Sequence, residues 1–84
     1  MSWFTTQMLL TGIRAYLDEA LAEYAETGDA EIASLRLDTA DSELEHLIAF
    51  LSVYGYDEDE WAENAARLQH DILNGNMLIR ERAL

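Results

Sequence analysis

The sequence predicts an all-α protein, a small helical bundle of three main helices plus one or two short helices. Three observations carry this prediction. The 84 residues contain no proline, apolar residues recur every three or four positions along most of the chain, and the glycines fall mainly where apolar runs stop. Half of the residues are apolar. We therefore expect residues 1–84 to form a single acidic helical domain with a thin core.

The first helix is expected over Trp3–Glu26, with Gly28 just beyond its end. Its main apolar stripe comprises Leu9, Ile13, Leu17, Ala20, Leu21 and Tyr24. A second apolar strip on another side comprises Phe4, Met8, Ala15 and Ala22. A helix that is apolar on two sides is either central in the fold or covered by another chain. We therefore predict an oligomer interface at Phe4 and Met8 together with the apolar C-terminal segment. Separately, the mid-helix position of Gly12 indicates that another group packs closely there.

The segment 29–37 allows two interpretations. Asp29 can cap a short helix that carries Ile32 and Leu35, or the alternation of apolar residues up to Leu37 can form a strand. The short helix is preferred, because a lone strand has no partner in this chain. A polar joint is then expected to separate this segment from the next helix, at Asp38, Thr39, Asp41 and Ser42.

Two further main helices are expected. One runs from about Asp41 to Tyr54 and ends at Gly55. The next begins at Asp57, with Glu60 as its capping partner, and its buried face comprises Trp61, Ala65, Leu68 and Ile72. Asn74-Gly75 is interpreted as a helix stop, and residues 76–84 are interpreted as a short last helix.

The charge excludes several classes of function. Seventeen acidic residues face five arginines and no lysine, which gives a net charge of −12. Such a surface repels phosphates and anionic membranes, so we expect neither direct nucleic-acid binding nor a membrane partner. It attracts basic proteins instead. The absence of cysteine and of a basic leader followed by a cleavage site favours a cytoplasmic protein.

Catalytic and metal-binding signatures are weak. Glu43 and His46 have the Glu-x-x-His spacing of di-iron bundles, but a complete site needs two such motifs and two further carboxylates. A metal-binding bundle is therefore a remote alternative, and no metal or other cofactor is predicted. A calcium loop is excluded because Ala62 stands where the loop glycine belongs. His70 falls on a charged helix face, and no nucleophile motif is present, so we expect no enzyme.

Two acidic clusters are the predicted partner-binding sites. The first comprises Asp57, Glu58, Asp59, Glu60 and Glu63, with Tyr56 exposed beside it, and the second comprises Asp38, Asp41, Glu43 and Glu45. In size and charge the chain is similar to phage-encoded inhibitors of host defence, some of which imitate DNA, and to toxin-immunity proteins. The sequence thus predicts a non-catalytic inhibitor that docks on a basic nucleic-acid-binding protein. The alternatives are a structural homo-oligomer, such as a homodimer, and a toxin-immunity protein.

Overall fold

The computed structural model describes residues 3–54 and 61–83 and places them in three α-helices. These are α1 (Trp3–Thr27), α2 (Ala30–Tyr54) and α3 (Ala62–Ala83). Each helix packs against the other two, and the bundle has a long axis of 42 Å. The predicted small all-α bundle is therefore confirmed. The extra short helices are not shown as separate elements in the described residues.

The turn between α1 and α2 is built by local hydrogen bonds. Gly28 adopts a positive φ of 70°, and its N–H donates to the carbonyl oxygen of Tyr24 at 2.8 Å, which ends α1. Asp29 then caps α2, because its Oδ1 accepts from the backbone N–H of Ile32 at 3.1 Å. The prediction of a glycine stop and an aspartate cap at these positions is confirmed.

The predicted polar joint is instead the middle of α2, which is continuous from residue 30 to residue 54. Leu37, Ala40 and Leu44 are each fully buried, and their spacing of three and four residues carries one apolar stripe through the segment. The polar residues between them turn away from the core, where a helix tolerates them. The strand interpretation of residues 29–37 is wrong, and the short helix expected there is the first part of α2.

Gly75 does not end a helix, because α3 runs through it to Ala83. It is buried against the other two helices. A Cβ at this position would lie 2.9 Å from Cδ2 of Leu37 and 3.3 Å from Cδ2 of Leu21. The glycine therefore lets α3 approach α1 and α2 closely.

One apolar core is shared by the three helices. Its largest fully buried side chains are Leu17, Leu37, Leu44, Leu51, Leu68 and Ile72. Trp61 is buried as predicted. Leu9, predicted in the buried stripe of α1, is instead 43% exposed, since it lies at the edge that faces the groove between α1 and α2. Within residues 3–54 and 61–83, no helix has the length and apolar character needed to cross a membrane.

Candidate protein-interaction surfaces

The first predicted acidic cluster is described only at Glu63. That residue lies in the first turn of α3, is exposed and forms an ion pair of 3.2 Å with Arg67. Tyr56 and Asp57–Glu60 lie outside the described residues.

The second predicted cluster lies on α2 and is divided between two sides of that helix. Successive residues of an α-helix are rotated by about 100°, so Glu43 lies about 140–160° around the axis from Asp38 and Glu45. Glu43 lines a groove against α1. Asp38, Asp41 and Glu45 lie on the other side, towards α3.

Glu31 joins these three residues, because residues 31, 38, 41 and 45 fall within about 80° of arc on α2. Its neighbour in the groove is Arg80 of α3, which places this side of α2 next to α3. We name Glu31, Asp38, Asp41 and Glu45 the acidic strip. The strip has the helical spacing of a single line of carboxylates along α2.

Three of the five arginines pair with carboxylates outside the acidic strip, and the guanidinium of Arg82 lies 5.7 Å from the ring centroid of Tyr24. Arg14 contacts Asp71 at 2.8 Å, Arg36 pairs with Glu23, and Arg67 pairs with Glu63. Within the described ranges, no strip carboxylate forms an ion pair with an arginine. The negative charge of Asp38, Asp41 and Glu45 is therefore available to an external cation, while Glu31 shares its groove with Arg80.

The net charge is also high for the length of the molecule. The residues that the structure describes contain thirteen acidic residues and five arginines, a net charge of −8, which along the 42 Å long axis corresponds to one negative charge per about 5 Å. A single strand within duplex DNA carries one negative charge per about 3.4 Å of helix axis, and the duplex carries one per about 1.7 Å. The described bundle thus has roughly two thirds of the linear charge of one nucleic-acid strand.

A second surface of different character lies at one end of α1 and α2. Six large apolar side chains there are between 43% and 71% exposed: Phe4, Met8, Leu9, Phe50, Val53 and Tyr54. We name these six residues the apolar patch. The rings of Phe50 and Tyr54 are 5.0 Å apart between centroids.

A groove between α1 and α2 continues this patch. It has a volume of about 420 Å³ and is lined by Met8, Leu9, Gly12, Glu43, His46 and Leu47. Gly12 is exposed, and a Cβ built on it would meet nothing within 4 Å. The fold of a single chain therefore gives no packing reason for this glycine, in contrast to Gly75.

The residues of the Glu-x-x-His motif both line this groove. Metal binding by protein side chains needs several convergent ligands. In the part of the chain that the structure describes, no group of three or more His, Asp or Glu side chains is close enough to hold a metal ion. Glu43 and His46 therefore form part of the wall of the groove between α1 and α2.

Comparison with protein-family models, with curated proteins and with solved structures finds no match for this chain. The function is therefore inferred from the acidic strip and the apolar patch. The sequence predicted Phe4 and Met8 on an uncovered face, where the structure also has them. It did not predict that Glu31 belongs to the acidic surface, or that Leu9 and Phe50 are exposed beside Phe4 and Met8. The sequence does contain one indication of the patch, which is that residues 1–13 and 47–56 have no charged side chain.

Proposed function

We propose that this protein is a non-catalytic inhibitor that docks an acidic surface on a basic, nucleic-acid-binding protein. The observation that carries the proposal is the linear charge of the bundle, one net negative charge per about 5 Å along its 42 Å axis for the described residues. A protein surface that binds a phosphate backbone presents lysines and arginines that neutralise the phosphates. Such a surface attracts this bundle by the same long-range field.

The acidic strip provides the local contacts in this proposal. Its ends, Glu31 and Glu45, are about 21 Å apart along the axis of α2, since a helix rises 1.5 Å per residue. That length corresponds to about six nucleotides of one strand at 3.4 Å each. The strip residues are exposed, apart from the half-buried Asp41, so cationic side chains of a partner reach most of them without moving the helix.

A competing explanation is that the charge serves solubility alone. The two explanations differ in whether the position of the charge matters. A strip variant replaces Glu31 and Glu45 with Gln and Asp38 and Asp41 with Asn. A matched control variant neutralises four other exposed acidic residues in the same way: Asp18, Glu19, Glu26 and Glu81. Both variants change the net charge by the same amount, and both keep the core unaltered.

The test is capture of proteins from a lysate on the immobilised wild type and on both variants, at low and at high salt. We expect the wild type and the control variant to retain basic nucleic-acid-binding proteins at low salt and to release them at high salt. The strip variant should retain about tenfold less, because several charge contacts are lost. Added DNA or RNA should displace the wild type from each captured protein, since both occupy one site.

Two results contradict the proposal. The first is equal capture by the strip variant and the wild type, which removes the strip from any binding surface. The second is a captured protein that holds nucleic acid and this chain at the same time, since an inhibitor of the proposed kind excludes the nucleic acid.

A further inference from the structure

The exposed area of the apolar patch lies at the upper end of the range found on monomeric proteins. Aromatic side chains have areas of about 150–250 Å² each, and aliphatic ones somewhat less. With the exposed fractions of 43% to 71%, the six residues of the patch expose on the order of 600 Å². The largest apolar patch of a typical monomer is about 300–600 Å², and patches of this size commonly mark interaction sites.

This area is sufficient for one side of a stable dimer. A standard interface buries about 800 Å² on each partner, and about 60% of that area is apolar. The patch alone supplies the apolar share, and the adjoining groove supplies the polar rim through Glu43 and His46.

The charge distribution favours a partner that is itself uncharged at the contact. The two chain segments that carry the patch, residues 1–13 and 47–56, contain no charged side chain, although the net charge of the chain is −12. A basic partner would have to bury lysines or arginines against the six apolar side chains, which is costly away from Glu43, the carboxylate at the rim of the groove. A partner with an apolar, uncharged surface avoids both this cost and like-charge repulsion. A second copy of this chain presents such a surface.

Gly12 supplies a place for a side chain from outside. Its open Cβ position lies in the groove beside Met8, whose side chain is 58% exposed. In a two-fold symmetric contact, a residue that touches a second residue on the partner is touched in return by its equivalent. Met8 of each copy therefore has a matching space over Gly12 of the other.

We propose that two copies of this chain form a symmetric homodimer through the apolar patch, with Met8 packed over Gly12 across the two-fold axis. The acidic strip lies on the opposite side of α2 from Glu43 and the groove, and it stays exposed in such a dimer. The dimer and the inhibitor function are therefore carried by separate surfaces.

The test is the molar mass of the full chain by light scattering or sedimentation, from about 1 to 100 μM, the range in which a standard interface is populated. The wild type should show twice the chain mass of 9.6 kDa. Met8→Glu should raise the dissociation constant of the dimer by about a hundredfold or more, because two carboxylates are buried per dimer. Gly12→Leu should also give a monomer, since it fills the space that receives Met8.

A matched control is Leu73→Glu on α3, because Leu73 has the same 58% exposure as Met8 and the charge change is identical. This variant should remain a dimer, and circular dichroism should show unchanged helicity in all three variants. A wild type that is monomeric at 100 μM (about the upper end of this range) overturns the proposal. So does a dimer that survives both Met8→Glu and Gly12→Leu, or one that Leu73→Glu also dissociates.

Failure here is distinguishable from failure of the inhibitor function. The strip variant should dimerise like the wild type. A dimer joined by apolar contacts should also persist in 1 M salt, whereas charge-mediated capture of a basic partner should be lost there, because the Debye length falls to about 3 Å.

Discussion

The two helical glycines lead to opposite predictions for the same substitution. Gly12→Ala should raise the free energy of unfolding by about 0.5–1 kcal/mol, because alanine is the better helix former and its Cβ meets nothing within 4 Å. Gly75→Ala gains the same helix propensity, but its Cβ would lie 2.9 Å from Cδ2 of the buried Leu37. Overpacking of this kind costs about 1–3 kcal/mol. Its net effect should be a loss of up to about 2 kcal/mol.

The assay is urea and thermal unfolding followed by circular dichroism, with both substitutions made in the Met8→Glu background so that self-association does not contribute. For a domain of this size, 1 kcal/mol shifts the unfolding midpoint by about 4–8 °C. The two variants should therefore move the midpoint in opposite directions. If Gly75→Ala stabilises the protein as much as Gly12→Ala does, then α3 does not pack on Leu37 and Leu21 through Gly75. The interpretation of Asn74-Gly75 as a helix end would then be restored.

Two further predictions concern stability. Asp29→Ala should cost about 1 kcal/mol in the unfolding free energy, because it removes the cap on the N–H of Ile32; Asp38→Ala in the middle of α2 is the control and should cost nothing, and equal losses would exclude a capping role. Leu44→Ala should cost about 2.7–5 kcal/mol because Leu44 is fully buried, whereas the exposed Leu35→Ala should cost below about 0.5 kcal/mol. A small loss at Leu44 would place α2 in a different rotation.

The parts of the fold that the sequence predicts well are those with local causes. The end of α1 depends on the backbone freedom of Gly28, and the start of α2 depends on the side chain of Asp29. Both effects act within four residues, so they can be read from neighbouring positions alone. The buried stripe of α3 around Trp61 is predicted for a similar reason, since its apolar spacing is regular.

The errors occur where a local cue and a tertiary contact disagree. Asp38 and Ser42 are typical of turns, but the intervening Ala40 is fully buried, and alanine gives little hydrophobic signal. Gly75 is typical of a helix end, yet its buried position comes from the neighbouring side chains of α1 and α2. Only the assembled bundle shows that both segments continue a helix.

The acidic strip was not predicted because a joint was expected in the middle of α2. With a joint expected at residues 38–42, Glu31 and Glu45 belong to different helices, and no common face can be assigned to them. Once α2 is continuous, their spacing of fourteen residues returns to nearly the same angle, and the line of carboxylates follows. Conversely, Glu43 does not share a surface with the other three residues of the predicted cluster, because its position around the axis of α2 places it in the groove against α1.

The arrangement of charge along α2 determines how salt acts on the two proposed contacts. At 1.5 Å per residue, Asp38 is about 18 Å and Glu31 about 28 Å from Phe50 of the apolar patch along the helix axis. Both distances exceed the Debye length of about 8 Å at physiological ionic strength, whereas Glu45 of the strip lies only about 8 Å from Phe50 along the same axis. Repulsion that involves Asp38 and Glu31 is therefore largely screened, and added salt acts on dimer formation mainly by screening the remaining repulsion at Glu45. Contacts of the strip with a basic partner are direct and charge-mediated, so they weaken steeply as salt rises. Dimer formation that salt leaves unchanged or slightly strengthens, together with partner binding that salt weakens, is therefore the expected signature of two separate surfaces on the two sides of α2.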